Sequence, residues 1–472
     1  MRRFRIIVYS LLLLLISVGV THLAAQSGAC PEAIQQALAS ANQFCSNAGR
    51  NQVCYGNTLI SATNWEGAPL PDFGQPGQLV NAADVASLVT APFDLSTKNW
   101  GVAVMRLQAN IPDTLPGQNV TFVVFGDVQL QNEVAPGQII AANGLSGTAL
   151  SNPNLRAGPG TDWNVVGSLK VGDKLSVIGK DVTGDWLQIV NQSQTRWVAT
   201  KFVQLDGDAS TLNVIDPKDK NQLLYQAPMQ AFIVKNRVNQ TSCESVPNGG
   251  MMIQSPQHLT VNFLANGIEM SVGSTALLRV DDAQGLHVAT LAGNVGVKSA
   301  STTQSIEPGY ALDVNQNQAP TEPKRYQYDD VRDLPLSILP DYVPAPPPDG
   351  NEISISVCDV KNNGVVRLPI AGDKPIIFGE PLGGVDADAA KAVRDSSVVN
   401  VTVNGVAVQP WSISDPYEST ASTNLNSGQQ TGKATLQKWY FVLPHPKPGR
   451  YNAEMTWAYR TTKKFNCSFT VR

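Results

Sequence analysis

The chain has 472 residues, too many for a single hydrophobic core, so its length predicts three or four domains. Charged residues make up only 15%, whereas Gly (38) and Pro (31) are abundant, a composition that favours short strands and tight turns over long charged helices. The formal net charge of −4 argues against a nucleic-acid-binding protein, because such a protein needs a basic face to displace counterions.

The first 25 residues have the pattern of a secretory signal peptide. Three arginines open the segment, residues 6–20 form an apolar run of 15 residues, and Leu23-Ala24-Ala25 offers small residues for cleavage. The alternative is an uncleaved membrane anchor, but this run is shorter than the ~20 residues of a membrane span. We therefore expect a secreted protein of the cell envelope or extracellular space, with 31 Lys and Arg against 38 Asp and Glu after cleavage.

A second processing route would attach a lipid. The stretch Ser27-Gly28-Ala29-Cys30 resembles a bacterial lipobox in its last three residues, although Ser27 stands where that motif has Leu. Membrane contact is therefore expected only through the signal peptide or through this weak lipobox at Cys30.

Six cysteines follow the signal peptide, an even number that suggests three disulfides in an oxidising compartment. Cys358 and Cys467 flank the last predicted domain and are expected to pair, which would stabilise the fold by roughly 4–5 kcal/mol. No CxxC occurs and no Cys lies close in sequence to a His, so zinc or redox chemistry is not expected. The other four cysteines allow three pairings, and the sequence does not choose between them: Cys30, Cys45, Cys54 and Cys243.

Residues 26–147 are predicted to form a small α+β domain. Pro31 can start a helix, and the run 120-VTFVVF-125 is apolar on both faces, which predicts a fully buried strand. This unit resembles the N-terminal part of uncharacterised secreted bacterial proteins, which implies no activity. The apolar positions of the helix share one face at helical spacing: Ile34, Leu38, Ala41 and Cys45.

Residues 150–206 hold five short apolar segments separated by turns, a pattern that predicts a small β-barrel. Gly172 and Gly184 supply turn positions, because glycine accepts a positive φ without steric cost. The stretches 154-NLRAGPG-160, 184-GDW-186 and 196-RWV-198 resemble the bacterial Src-homology-3 (SH3b) domain, with Arg196 in place of the usual Gly before the final Trp. The resemblance implies an SH3-like barrel with a binding role.

Residues 207–316 are predicted to form another β domain. Alternating apolar residues flank Asn266-Gly267, which predicts a β-hairpin. The stretches 272-VGST-275, 291-LAGNVGV-297 and 308-PGYAL-312 resemble the FecR-like domain, found in periplasmic regulators of iron-citrate signalling and in secreted proteins. The resemblance covers about 250–316 and implies a FecR-like β fold without a signalling role.

The remaining residues are predicted to form a linker and a last domain. Residues 317–350 contain 344-PAPPP-348, which favours a stiff extended linker. Alternating apolar residues before and after Asn404-Gly405, and again near the C-terminus, predict an immunoglobulin-like β-sandwich over 351–472. The presumed disulfide would tie its first strand to its last.

The sequence shows little sign of catalytic chemistry. No HExxH, GxSxG, P-loop or GxGxxG motif occurs. Adjacent acids, such as Asp281-Asp282 and Asp329-Asp330, do not face each other across a cleft, as glycoside hydrolysis requires. We expect no enzymatic activity, no cofactor and no metal site, with a secreted hydrolase as a remote alternative.

The best candidates for ligand contact are aromatic residues of the barrel. Trp163 follows the Gly-Pro-Gly turn in a loop and is expected to be exposed, whereas Trp186 and Trp197 lie in strands, where at least one should fill the core. Arg156 could pair with a peptide carboxylate or brace the turn through Asp162. The SH3b resemblance implies cell-wall material as the ligand, so we interpret the chain as a secreted modular protein that attaches to cell-wall peptidoglycan or to a surface protein through its barrel. The alternative is an extracellular or signalling-related scaffold that binds other proteins.

Overall fold

The computed structural model describes residues 29–472 except 95, 98, 108–118, 137–144, 192–193, 216–226, 237–248, 257–258, 281–284, 363, 367–369, 371, 420–421, 424–429 and 432. The predicted signal peptide and Cys243 lie outside the described residues, as does the side chain of Cys30. The described chain is mainly β and forms several sheets, as the composition predicted. None of its described helices combines the length and apolar character needed to cross a membrane.

The strands fall into four runs along the chain. The first run is β1 Gln52–Asn57, β2 Ile60–Thr63, β3 Leu79–Asn81, β4 Ser87–Thr90, β5 Val102–Leu107, β6 Val120–Phe125 and β7 Val128–Asn132. The second is β8 Leu145–Ala149, β9 Asn154–Arg156, β10 Val165–Ser168, β11 Lys174–Lys180, β12 Trp186–Asn191, β13 Gln194–Ala199 and β14 Val203–Leu205. The third is β15 Ala231–Asn236, β16 Gly250–Gln254, β17 Val261–Ala265, β18 Ile268–Val272, β19 Thr275–Val280, β20 Leu286–Ala292, β21 Val295–Ser299, β22 Thr302–Ile306, β23 Tyr310–Val314 and β24 Lys324–Arg325. The fourth is β25 Asn351–Ile353, β26 Ile376–Gly384, β27 Val398–Val403, β28 Val406–Val408, β29 Pro410–Ile413, β30 Tyr417–Ser419, β31 Ser422–Thr423, β32 Gln430–Thr431, β33 Ala434–Leu443, β34 Gly449–Tyr459 and β35 Thr461–Val471.

Helices are few in the described chain. The α-helices are α1 Ala29–Cys45, α2 Tyr328–Val331, α3 Ile355–Asn362 and α4 Ala387–Ser396, and short 3-10 turns cover Ala82–Asp84, Thr200–Phe202, Ala209–Thr211 and Leu336–Ile338. Helix α1 matches the predicted helix, and its four predicted core positions are all buried.

The first and third runs of strands form one large sandwich. Its nine-stranded sheet has the order β24-β23-β20-β19-β16-β6-β5-β1-β3, and its eight-stranded sheet has the order β2-β4-β7-β15-β17-β18-β21-β22. The largest core lies between the sheets, where the ring of Phe122 packs edge-on against Phe232 and Phe263. As predicted, residues 120–125 are buried on both faces, and Asn266-Gly267 connects a hairpin with positive φ at both residues.

This sandwich differs from the two separate domains expected for 26–147 and 207–316. Strand β6 pairs with β16 over five residue pairs, and β7 pairs with β15, so each sheet is continuous across the two stretches. The physical reason is that β6 and β16 are buried on both faces, and neither can satisfy its backbone groups without a neighbour from the other stretch. The FecR-like resemblance of 250–316 stays a prediction.

Residues 326–349, which we call the strap, pack on the outer face of the nine-stranded sheet. There they share a second core with α1, and Tyr326, Val331, Ile338 and Val343 are buried in it. Residues 317–350 were expected to form a linker, but these apolar side chains remove much of the segment from solvent. The 344-PAPPP-348 stretch is held through its carbonyls, because the Ala345 oxygen accepts a hydrogen bond of 2.6 Å from Oγ of Ser412.

The barrel occupies the connection between β7 and β15, which are antiparallel neighbours in the eight-stranded sheet. Its own sheet has the order β10-β9-β13-β12-β11-β8-β14, and its small core includes Leu155, Val177, Ile189 and Val198. The first strand of the barrel, β8, begins five residues before the predicted boundary at 150. Because the chain leaves and re-enters the sandwich at neighbouring strands, the barrel is an insertion into a hairpin.

The last unit contains two sheets around a third core. The five-stranded sheet has the order β25-β26-β33-β29 with β30 also paired to β33, and the four-stranded sheet has the order β28-β27-β34-β35. Helices α3 and α4 were not predicted from the sequence, and β25 pairs with β26 in parallel. The immunoglobulin-like assignment of 351–472 stays a prediction.

Two disulfides lie within the described residues. Cys358 pairs with Cys467 as predicted, but Cys358 lies in α3 rather than in a first strand. Cys45 pairs with Cys54 and ties the end of α1 to β1, which decides one part of the pairing that the sequence left open.

Candidate functional site

The candidate site is built on the turn between β9 and β10. The indole of Trp163 lies directly over Gly158, because a Cβ at position 158 would stand 2.2 Å from Cδ2 of the ring. Gly160 has a φ of +145°, a conformation that side chains disfavour, so this turn also needs glycine there. The turn therefore supports one face of the indole, and Trp163 keeps 38% of its surface exposed, as the sequence predicted.

Arg156 braces this turn from inside the hairpin. Its Nη1 donates hydrogen bonds of 2.8 Å to the carbonyl of Thr161 and 2.7 Å to the carbonyl of Trp163. Of the two roles expected for Arg156, the structure shows bracing, through backbone carbonyls instead of the Asp162 carboxylate. Arg156 therefore positions Trp163.

Strand β10 forms an open edge beside Trp163. It is the last strand of the barrel sheet and pairs only with β9 among the described residues. All four of its residues are exposed, including Val165 at 52% and Val166 at 37%. Edge strands are usually protected by charges or proline, and 165-VVGS-168 carries neither. This edge can therefore accept an extended chain, a feature that the sequence analysis missed because a four-residue run does not reveal which strand ends a sheet.

The other two tryptophans do not offer an exposed ring beside Trp163. Trp197 is only 2% exposed, so the structure contradicts its candidacy for ligand contact. It lies opposite Arg156 of β9 and next to Val198, which belongs to the barrel core. Trp186 is half-buried at the start of β12, three strands away from β10 in the sheet order.

Asp181 fixes the start of β12. Its Oδ1 accepts a hydrogen bond of 2.8 Å from the backbone N–H of Trp186, and its Oδ2 accepts one of 2.6 Å from Oγ1 of Thr183. Burial alone would raise the pKa of Asp181, but the hydrogen bonds from Thr183, Trp186 and Gly184 outweigh it and lower the pKa. The carboxylate is thus a structural anchor for the turn at Gly184.

The described residues contain no cluster of three or more His, Cys, Asp or Glu side chains arranged to hold a metal. Within Asp206-Gly207-Asp208, the Asp208 carboxylate caps the 3-10 turn that follows, with Oδ1 2.8 Å from the Ser210 N–H and Oδ2 2.6 Å from Ser210 Oγ. Both oxygens of the Asp208 carboxylate are therefore already engaged by Ser210, one by its backbone N–H and one by its hydroxyl.

Comparison with known proteins supports the assignment of the barrel. The family model for the bacterial SH3 domain matches residues 151–204. The chain is also similar to "Putative N-acetylmuramoyl-L-alanine amidase YrvJ" of Bacillus subtilis (strain 168), with 24% identity over 181 residues. That match covers 37% of this chain and 35% of the relative, so the chain spans about a third of the relative's length. Residues 151–204, with Trp163 exposed at one edge, are a bacterial SH3 domain.

Proposed function

We propose that this protein attaches noncovalently to cell-wall peptidoglycan through its SH3 barrel. The observation that carries this proposal is the indole of Trp163, held exposed on Gly158 beside the open edge of β10. The two disulfides fit an extracellular or envelope location, where such a wall would be met.

The site offers contacts for both the glycan and the peptide of peptidoglycan. An exposed indole offers a flat apolar face to a sugar ring or to an aliphatic side chain. The backbone N–H and C=O groups along an open strand edge can pair with an extended peptide. Arg156 is engaged with two carbonyls, so we assign it to positioning Trp163 and not to a peptide carboxylate.

The relative adds support of a different kind. Its printed name describes it as a putative N-acetylmuramoyl-L-alanine amidase. We carry over only the wall as the ligand, and we propose binding without catalysis.

A second candidate function is a scaffold that binds another protein through the same edge. The exposed Val165 and Val166 favour it, because β-strand addition accepts any extended chain whose side chains fit. A scaffold of this kind would be retained by a protein partner and not by purified wall.

The test is retention of residues 26–472 on purified bacterial sacculi at physiological salt. We expect Trp163→Ala to weaken binding about tenfold, as for an aromatic residue at the centre of a binding site. Gly158→Ala should weaken it similarly, because the new methyl group would occupy the position of the indole. Val182→Ala is the matched control, since Val182 is 82% exposed on the same barrel but lies outside the site.

The outcomes separate the alternatives. No retention of the unaltered protein would overturn the proposal and favour the scaffold. Retention unchanged by Trp163→Ala and Gly158→Ala would place binding elsewhere. Soluble product released from the sacculi would contradict the proposed absence of catalysis.

A further inference from the structure

A second surface lies on the last unit, on the face of its five-stranded sheet that carries Lys438 and Tyr440. Along β33, Gln437, Trp439 and Phe441 are buried, whereas the alternating Lys438 and Tyr440 lie on the opposite face. Tyr440 is opposite Gly379 of β26, and Lys438 is opposite Pro381. Together with two residues of neighbouring strands they form what we call the phenol cluster: Glu352, Tyr417, Lys438 and Tyr440.

The polar contacts of the phenol cluster are close. Nζ of Lys438 lies 2.5 Å from Oε1 of Glu352 and 5.9 Å from the centroid of the Tyr440 ring. A Cβ at Gly379 would stand 2.6 Å from the same Oε1, so the carboxylate lies over this glycine. Gly379 therefore leaves room on the sheet for the Glu352 carboxylate.

The two phenols face this ion pair. Burial raises the pKa of Tyr440 and of Tyr417, and the Lys438 charge, which lowers both values, is outweighed. Both hydroxyls therefore stay protonated and can donate hydrogen bonds. Within the described part of the chain, neither hydroxyl has a hydrogen-bonding partner, and 38% of the Tyr417 surface is exposed.

We propose that the phenol cluster is a second binding site, one that takes a neutral saccharide. Ring faces pack against the C–H faces of sugars, and a sugar's hydroxyl groups can donate to a carboxylate and accept from phenols and an ammonium group. Lys438 and Glu352 neutralise each other, so the cluster's own groups suit a neutral ligand. The charge of Arg325 also reaches Tyr440, but its guanidinium donates to the carbonyl of Pro347 and lies over the ring of Tyr310.

This site is independent of the barrel, since it lies in a different unit and shares no residue with the Trp163 site. A protein with both sites would contact the wall at two points, and linked sites raise overall retention without any new contact.

The test uses the full chain carrying Trp163→Ala, so that the barrel does not contribute. The probes are the tetramer and the hexamer of N-acetylglucosamine, which carry no charge, and binding is measured by calorimetry. We expect saturable binding that falls about tenfold in Tyr417→Ala, in Tyr440→Ala and in Lys438→Ala. Gly379→Ala should also weaken binding, since its methyl group displaces the Glu352 carboxylate.

Lys464→Ala is the matched control. Lys464 forms the same kind of exposed ion pair, with Nζ 3.2 Å from Oε1 of Glu454, but lies on the other sheet of the unit. Its loss should leave saccharide binding unchanged, and unfolding midpoints of all variants report whether each still folds. If Tyr440→Ala fails to fold, the exposed Tyr417 and Lys438 variants still decide the question.

Absence of binding to both probes would overturn this proposal, and so would binding that the cluster variants do not change. Neither result bears on the proposal for the barrel, because retention of the protein on sacculi is measured with Trp163 intact. Conversely, loss of sacculus retention in Trp163→Ala with normal saccharide binding would support both proposals separately.

Discussion

The barrel and the sandwich are both β structures, but they are assembled in opposite ways. The barrel is made by one continuous stretch, β8 to β14, whose strands pair mainly with close neighbours in sequence. The sandwich joins two stretches on either side of the barrel, through the β6–β16 and β7–β15 pairs. The barrel is therefore separable, whereas the sandwich depends on both of its stretches.

The two regions also differ in what they leave exposed. The sandwich covers one sheet with α1 and the strap, so that sheet lies between two cores. The barrel leaves an uncharged edge strand and an indole open to solvent. We therefore expect the binding surface on the barrel. Single exposed apolar side chains are common on protein surfaces, whereas an unprotected strand edge beside an exposed aromatic ring is not.

The largest expected effect separates the two assemblies directly. Replacing residues 137–226 with a short Gly/Ser segment should leave the sandwich folded, because β7 and β15 are already neighbours. Expressing residues 29–136 alone should give no cooperative unfolding, since β6 would lose its pairing with β16. Thermal unfolding followed by circular dichroism measures both, and a barrel-free protein that fails to fold would contradict the insertion.

A second test compares the disulfide that closes a long loop with the one that closes a short loop. Cys358–Cys467 spans 109 residues, and Cys45–Cys54 spans 9. In the chain-entropy model, removing Cys358–Cys467 should destabilise the last unit by about 5 kcal/mol. Removing Cys45–Cys54 should destabilise the sandwich by about 3 kcal/mol. Denaturant unfolding of the paired Cys→Ala variants gives both values, and a larger loss for the short loop would run against this order.

The third prediction separates the two roles of tryptophan within the barrel. Trp197→Ala should destabilise the barrel by about 3–5 kcal/mol, because it removes a buried ring. Trp163→Ala should cost less than about 1 kcal/mol, because its site is on the surface, yet it should weaken sacculus binding. Denaturant unfolding paired with the binding assay checks this, and similar stability losses in the two variants would argue against separate roles.

The dependence of stability on pH should have opposite signs in two units. Burial raises the pKa of Glu380 to about 7, although hydrogen bonds from Ser356 and the Ile355 N–H oppose the shift. The unfolded chain loses this proton at lower pH than the folded one, so the last unit should lose about 3 kcal/mol as pH rises from about 4.5 to about 7. Glu380→Gln should flatten this dependence in unfolding curves recorded across that range.

The barrel should respond in the other direction. Because the pKa of Asp181 is lowered in the folded state, its contribution is present above the unfolded pKa of 3.8 and is lost as pH falls through the folded value. Barrel unfolding in Asp181→Asn should therefore depend less on pH in the acid range. Barrel stability that increases on acidification would contradict this sign.

Local patterns predicted individual elements well. The spacing of Ile34, Leu38, Ala41 and Cys45 predicted α1, and Asn266-Gly267 predicted the hairpin it connects. The barrel could be recognised because its turn glycines and tryptophans lie within one short stretch. The exposure of Trp163 also followed from its place after Gly158-Pro159-Gly160, although its contact with Gly158 did not.

Assignments that depend on distant contacts were the ones that differed. The sequence predicts a linker at the strap because its prolines favour an extended chain. In the structure its buried side chains pack against α1 and the sandwich. Cys358 was expected in a first strand but lies in α3. Glu380, 24 residues from Ser356, accepts hydrogen bonds from the N–H and hydroxyl of Ser356 at the start of this helix.

The sequence by itself therefore determined the β character of the chain, its turns, the bacterial SH3 domain and the Cys358–Cys467 pairing. Only the tertiary structure decided that two distant stretches share two sheets, that β10 ends the barrel sheet, and that Trp197 is buried. The physical reason is that turn chemistry and side-chain periodicity are local, whereas the burial of a strand depends on which neighbour satisfies its backbone groups.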